Sequence, residues 1–175
     1  MKYWLTGDTH LGHDRLIELG GRPVGFSHII ITNLQKVMKA EDVLIHLGDI
    51  CIGDEASWHY ELLSCLPGRK WLVLGNHDRK STGWYLEHEW DAVMNSFHMQ
   101  RFGLDFLFSH VPMDTSKNMC DVNVHGHFHN TLHRKSDPVY NGILNSKHFL
   151  YAQEFRSYQP VCLKTIANEM IKRRA

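Results

Sequence analysis

The sequence is short of what builds several common classes of protein. It has four cysteines (Cys51, Cys65, Cys120 and Cys162), and no two of them form a Cys-x-x-Cys pair. That spacing argues against a thiolate zinc knuckle and against a disulfide scaffold, and leaves reduced, mostly buried thiols as the expectation. No apolar run approaches the roughly 18 residues of a transmembrane helix. The apolar stretch after Lys2 is far too short for the core of a signal peptide, so the chain is expected to be cytoplasmic, with no membrane partner. An excess of charge of one sign is also missing, since 19 Lys and Arg balance 19 Asp and Glu. A protein that coats nucleic acid would carry a basic surplus, so strong binding of polymeric nucleic acid is not expected. Proline and glycine are scattered, with no linker, repeat or low-complexity segment. At roughly 100–200 residues per domain, residues 1–175 read as one domain.

What is present is apolar content and histidine. Apolar residues make up 43% of the chain and include five Trp, enough for a core without staples. Histidine occurs 14 times in 175 residues. Neutral imidazole is the commonest metal ligand and a frequent general acid or base. Short apolar runs at Lys2–Thr6, Val43–Leu47, Trp71–Leu74, Leu104–Phe108 and Val122–His125 predict buried strands. Between them, Ile30, Leu34, Val37 and Met38 share one face of a helix from about His28 to Lys39. Trp58, Leu62, Cys65 and Leu66 do so after Asp54, a candidate N-cap. Ile166, Ala167, Met170 and Ile171 form the stripe of a C-terminal helix whose basic last turn suits the helix dipole. Alternating strands and helices make the class α/β. The stretches 93–103 and 149–163 read as further strands, suggesting a second, partly antiparallel sheet.

The polar residues are placed at the ends of the strands. The first strand runs into Asp8-Thr9-His10, the second into Gly48-Asp49, and the third into Gly75-Asn76-His77-Asp78. The fourth ends in Ser109-His110 and the fifth runs into Gly126-His127-Phe128-His129. In open α/β sheets ligands gather at the carboxyl ends of strands. In extended backbone the i, i+2 pairs Asp8/His10 and His127/His129 each project one way. Seven nitrogen and oxygen ligands are too many for one zinc and suit two ions sharing a carboxylate. Asp49, alone on its strand, is the best candidate for the bridge. Imidazole, carboxylate and amide donors without thiolate suit two divalent ions such as manganese, iron, zinc, cobalt or nickel better than copper(I) or calcium. Two such ions clamp a phosphoryl group undergoing displacement and activate the water held between them.

These blocks, in this order, resemble the calcineurin-like metallophosphoesterase superfamily, and the resemblance spans residues 8–129. The opening Asp8-Thr-His-Leu-Gly-His13 and the later Gly21-Arg-Pro23 are similar to its small bacterial, archaeal and phage members. The resemblance implies an α/β/β/α sandwich of two mixed β-sheets flanked by helices, with a dinuclear site on one edge. It assigns Asp8, His10 and His129 to the first metal, Asn76, His110 and His127 to the second, and Asp49 to the bridge. It makes His77 the catalytic residue, which protonates the leaving-group oxygen or stabilises phosphate charge. The Asp-Arg-Gly of the related protein phosphatases is absent after Asp49, and the asparagine block ends in Asp78 rather than Glu. Both departures favour the phosphodiesterase-like branch.

His13 is a further candidate for phosphate contact. His125 has the parity of His127 and His129, and His46 lies three residues before Asp49; both are expected to pack in or beside the sheet, with hydrogen bonding to a ligand as the alternative, weaker for His46. Asp78 either orients His77 or caps a following helix. Arg22 and Arg79 are expected in surface pairs, with contact to a substrate phosphate as the alternative. His28, His59, His88, His98, His133 and His148 belong to no motif and are read as surface or boundary residues. Trp58, Trp71, Trp84 and Trp90 are read as core. The expected function is hydrolysis of small phosphodiesters, with a small phosphoester such as a nucleotide as partner. The alternatives are a phosphomonoesterase or nuclease on the same site, or a non-catalytic scaffold.

Overall fold

Four parallel strands and their crossovers build the frame that carries the strand ends. The computed structural model describes residues 1–117, 119–130, 139–140 and 142–174; His133 lies outside them. In the first sheet β1 (Tyr3–Thr6), β2 (Val43–His46), β3 (Arg69–Val73) and β4 (Ala92–Met94) run parallel in the order β4-β3-β2-β1. Short β9 (Val161–Cys162) pairs antiparallel with β1 on the other side. The second sheet has the order β5-β6-β7-β8, made by β5 (Ser96–Arg101), β6 (Leu104–Ser109), β7 (Val122–His125) and β8 (His148–Leu150). β5 and β6 form an antiparallel hairpin, whereas β6, β7 and β8 are parallel. The hairpin turns at Phe102-Gly103, both with positive φ, the geometry that matches the twist of a two-residue turn.

Period-two burial gives each strand of the first sheet two apolar faces. Tyr3, Leu5, Val43, Ile45 and Val73 pack against Leu104, Phe106, Phe108, Val122, Val124 and Phe149 of the second sheet. On the other side, Leu44 and Leu72 meet the helices. Among these, α2 (Phe26–Val37) buries Phe26, Ile30, Ile31 and Leu34. Helix α3 (Glu55–Leu63) is capped by Asp54, which accepts the Ser57 N–H at 3.2 Å, and buries Leu62 and Leu63. Helix α5 (Leu163–Arg174) inserts Leu163, Ile166, Ala167 and Met170 into the core between the sheets. Ile171 is 46% exposed and is not part of that stripe. It stands one residue, about 100°, around the helix from Met170.

Two six-residue helices, α1 (Arg15–Gly20) and α4 (Thr82–Glu87), are too short to show a period in the sequence. The stretch 149–163 is less regular than expected: between β8 and β9 it holds a 3-10 turn at Glu154–Arg156. The outer face of the second sheet is covered by the chain after β6. Buried Asn123 accepts the Met113 N–H at 2.8 Å and donates to Leu107 O and Ser109 Oγ. His148 is buried beside it, its Nε2 2.9 Å from Met113 O. His59 is also buried, accepting the Trp90 indole N–H at 2.9 Å. Neither is a surface residue, because each is fixed by a partner inside an apolar layer. Trp90 is buried, and Trp58, Trp71 and Trp84 are half-buried against the two cores. Cys51 and Cys120 are buried, Cys65 and Cys162 half-buried, and all four are free.

Candidate metal centre

The candidate ligands converge through their backbone rather than through strand parity. Asp8, His10, Asp49, His127 and His129 all have φ between 44° and 69°, in the left-handed region that non-glycine residues seldom occupy. The i, i+2 argument in extended backbone is therefore wrong for both pairs. β1 stops at Thr6 and β7 at His125, and the chain then coils tightly enough to turn successive polar side chains inward. Such conformations cost about 1–3 kcal/mol each and persist only where the surroundings over-determine them. Here the turns are stitched together: Asp8 N–H donates to Gly48 O at 2.8 Å, His10 N–H to Asp49 O at 3.0 Å, and Gly126 N–H to His110 O at 2.9 Å. Glycine is required where the turns touch. A Cβ at Gly126 would overlap Asp8 Oδ2, and one at Gly75 would overlap Asp49 Oδ1.

Two sets of side chains result. Asp8, His10 and His129 offer one group of ligand atoms, and Asp49, His110 and His127 a second, each within 4.8 Å. Asp49 Oδ2 stands between them, 3.5 Å from His10 Nε2 and 3.4 Å from His110 Nε2. Asn76 Oδ1 joins the second set at 2.9 Å from His110 Nε2. All seven residues expected to hold metal are thus in one place. His77 is exposed at their margin, its ring centroid 5.4 Å from that of His10 and its N–H donating to Asp49 Oδ1 at 2.8 Å.

The donor chemistry fits two cations. His110 Nδ1 donates to Leu47 O at 2.8 Å, which leaves the Nε2 lone pair facing inward. It meets Asn76 Oδ1, His127 Nδ1 at 3.2 Å and Asp49 Oδ2. Electron pairs converge there on a point that demands positive charge. The same demand shows in the pKa of His110. Burial opposes protonation of His110, but its bond to Asp49 and the charges of Asp8 and Asp49 push its pKa up to about 9. Burial would raise Asp49, yet the hydrogen bond and charge of His110 hold it below the usual carboxylate range. Asp8 is raised, chiefly by complete burial. His10 is lowered to about 2, again mainly by burial.

Residues behind the candidate ligands hold the turns. Asp78 neither caps a helix nor contacts the His77 ring by any hydrogen bond in the structure: α4 is capped by Ser81. Its carboxylate instead accepts the N–H groups of Asp49, Ile50 and Gly75 at 2.8, 3.1 and 2.8 Å. His46 accepts the Gly48 N–H at 3.1 Å through Nδ1 and reaches Thr9 Oγ1 through Nε2 at 3.0 Å. Burial lowers its pKa to about 3, so it serves as a neutral strut. His125 is buried and joins neither set; its Nδ1 lies 3.0 Å from Gly126 O. His13 lies 5.9 Å from His10 between ring centroids, and its Nδ1 is buried without a hydrogen-bond partner. Arg79 is exposed. Arg22, expected at the surface, is 2% exposed, because its guanidinium is spent on groups behind Asp8 and His129. Glu154, which pairs with Arg22, went unanticipated: it is far from every motif in sequence.

A family model described as calcineurin-like phosphoesterase matches residues 1–150. An uncharacterized protein of Methanocaldococcus jannaschii is 28% identical over 174 residues, covering 94% of this chain and 89% of its own. The gene 66 protein of Mycobacterium phage L5 is 36% identical over 80 residues, which is 43% of this chain and 39% of that protein. The crystal structure of a protein of unknown function from Aquifex aeolicus superposes with a TM-score of 0.75 at 28% identity, covering 95% of this chain and 98% of that one.

Proposed function

The chain belongs to the calcineurin-like phosphoesterase family, and on that premise we propose that it is a metal-dependent hydrolase of small phosphodiesters, nucleotides among them, working in the cytoplasm. The observation that carries this reading is the position of Asp49 Oδ2 between the two ligand sets, at 3.5 and 3.4 Å from His10 and His110. Asp8, His10, His129 and Asp49 would hold one divalent ion, and Asp49, Asn76, His110 and His127 the other; manganese is the ion proposed, with iron, zinc, cobalt or nickel also compatible with such donors. When bound, the ions would neutralise phosphate oxygens and supply a water activated near neutral pH.

The remaining chemistry belongs to the chain. His77 is exposed beside the first set, with its main chain pinned by Asp49. It donates a proton to the leaving-group oxygen, a contribution of about 10²- to 10⁴-fold. Asn76 and His77 face solvent, so the leaving group can vary in size, as a diester requires. Buried Asp8 and His110 keep bulk water from the far side of the ligand atoms.

The test is turnover by the Mn²⁺-loaded protein on an activated aryl diester, the matching monoester, cyclic nucleotides and short oligonucleotides. The diester is expected to be hydrolysed fastest, with activity lost to chelator and restored by Mn²⁺. Preference for the monoester would make the protein a phosphomonoesterase. Steep salt-dependent binding of oligonucleotides would make it a nuclease. Two bound ions without turnover on any ester would make it a scaffold.

A further inference from the structure

Behind the first ligand set lies an ion pair that neither the ligands nor the proton donor account for. Arg22 comes from the loop between α1 and α2, and Glu154 from the 3-10 turn after β8. The Arg22 Nε–H donates to Glu154 Oε1 at 3.0 Å, with the side chains 0% and 8% exposed. Its Nη1 donates to Thr9 O and its Nη2 to Asp8 O, both at 2.7 Å. Its Nη2 is also 3.2 Å from His129 Nδ1, and Glu154 Oε1 is 3.5 Å from that nitrogen. The pair therefore touches both ends of the first set: the backbone of Asp8 and Thr9, and the ring nitrogen of His129 that faces away from His10.

Burying a charge pair is costly and seldom adds stability over an apolar replacement. This pair is aimed, because every described bond of the guanidinium goes to the strand end, to His129 or to Glu154. Asp8 and His10 hold left-handed backbone on either side of Thr9, so the two carbonyls bound by Arg22 lie in the strained segment itself. The neighbouring Gln153 supports the same strand end, donating to Thr6 Oγ1 at 2.9 Å and Gly7 O at 3.0 Å. In the second set, by contrast, His110 is oriented by a backbone carbonyl, Leu47 O at 2.8 Å.

We propose that Arg22 and Glu154 are positioning residues that set the metal affinity of the Asp8–His10–His129 half of the centre and leave the other half unaffected. A carboxylate facing the outer nitrogen of a ligating histidine fixes its ring and tautomer, and loss of such a partner typically weakens metal binding about 10- to 100-fold. The inference rests on the reading of these residues as a metal centre, and the experiment separates the two.

The test is a Co²⁺ titration of the full chain, followed by visible absorption. In a His127→Ala background, which keeps the first set whole, adding Glu154→Gln is expected to weaken Co²⁺ binding about 10- to 100-fold and to shift the absorption bands. In a His10→Ala background, which keeps the second set, the same change is expected to leave affinity and bands as they were. Arg22→Lys, which cannot span three acceptors, is expected to follow Glu154→Gln; if it fails to fold, the isosteric Glu154→Gln still decides. If a one-set background binds nothing, the two-step isotherms of the parent and of Glu154→Gln decide instead. One step weakened supports the brace; both steps weakened equally, or neither, overturns it. A parent chain that takes up no Co²⁺ overturns the reading of the centre itself.

Discussion

The carboxylate of Asp78 accepts the backbone N–H of Asp49 at 2.8 Å, and with its other contacts joins the turn after β2 to the turn after β3. Asp49 has a φ of 56° and stands between both ligand sets. Asp78 thus holds Asp49 by its main chain while leaving the Asp49 carboxylate free for other partners. Removing it by Asp78→Ala strands three N–H groups, each worth about 1–3 kcal/mol if it stays dry. Allowing for water entry, the expected loss of stability is about 2–4 kcal/mol, read by urea unfolding. Asp78→Asn keeps an acceptor and is expected to lose less. Equal stability of Asp78→Ala and the parent would show that Asp49 is held by other means.

His77 separates chemistry from metal retention. Its side chain belongs to neither ligand set. His77→Ala is expected to keep both metal equivalents by elemental analysis and to lose about 10²- to 10⁴-fold in kcat. The deficit should shrink as the leaving group becomes more acidic, because a better leaving group needs its proton less. A variant that also loses metal would place His77 among the ligands instead.

The candidate metal-binding residues are legible in the sequence because metal-type side chains at strand ends are chemically conspicuous, whatever path the backbone takes. The path itself is not. Five of the residues sit at positive φ, a conformation that has no side-chain signature in Asp or His. Arg22 and Glu154 were hidden for another reason: they are 132 residues apart, and a buried arginine has the same letter as an exposed one. His46 and His125 both pack in or beside the sheet, as their positions in the sequence predict, but only the fold distinguishes the strut under Gly48 from the residue bonded to its own neighbour. The two sheets were foreseen in kind, whereas α1 and α4, at six residues, fall below the length at which periodicity can be seen.

Gly126 tests how closely the last block must approach the first. His127 N–H lies 3.1 and 2.9 Å from the two carboxylate oxygens of Asp8. A methyl group at position 126 would displace that carboxylate, which is fully buried and has no room to retreat. Gly126→Ala is expected to weaken binding of at least one metal ion by about 10- to 100-fold, comparable to loss of a ligand's hydrogen-bonding partner. Calorimetric titration with Mn²⁺ checks this. Unchanged affinity would mean that Asp8 can move without cost and is not a ligand.

His59 lies away from the centre and gives a clean pH test of the fold. It accepts the Trp90 indole N–H, packs among Trp84, Tyr85 and Trp90, and burial lowers its pKa to about 4. The unfolded chain binds this proton near pH 6.5, the folded chain only near pH 4. Between those values the unfolded state holds more protons, so stability rises with pH. The contribution is complete above about pH 6.5 and is lost as pH falls toward about 4. At pH 5 the loss attributable to His59 is about 2 kcal/mol. His59→Gln can still accept the indole N–H but does not titrate. Urea unfolding of parent and variant at pH 7.5 and pH 5 is expected to show the variant losing about 2 kcal/mol less across that interval. His46 and His125 titrate in both proteins and cancel in the comparison. An equal loss in the two proteins would mean that His59 is already solvated, and that the aromatic layer around it opens more readily than its burial indicates.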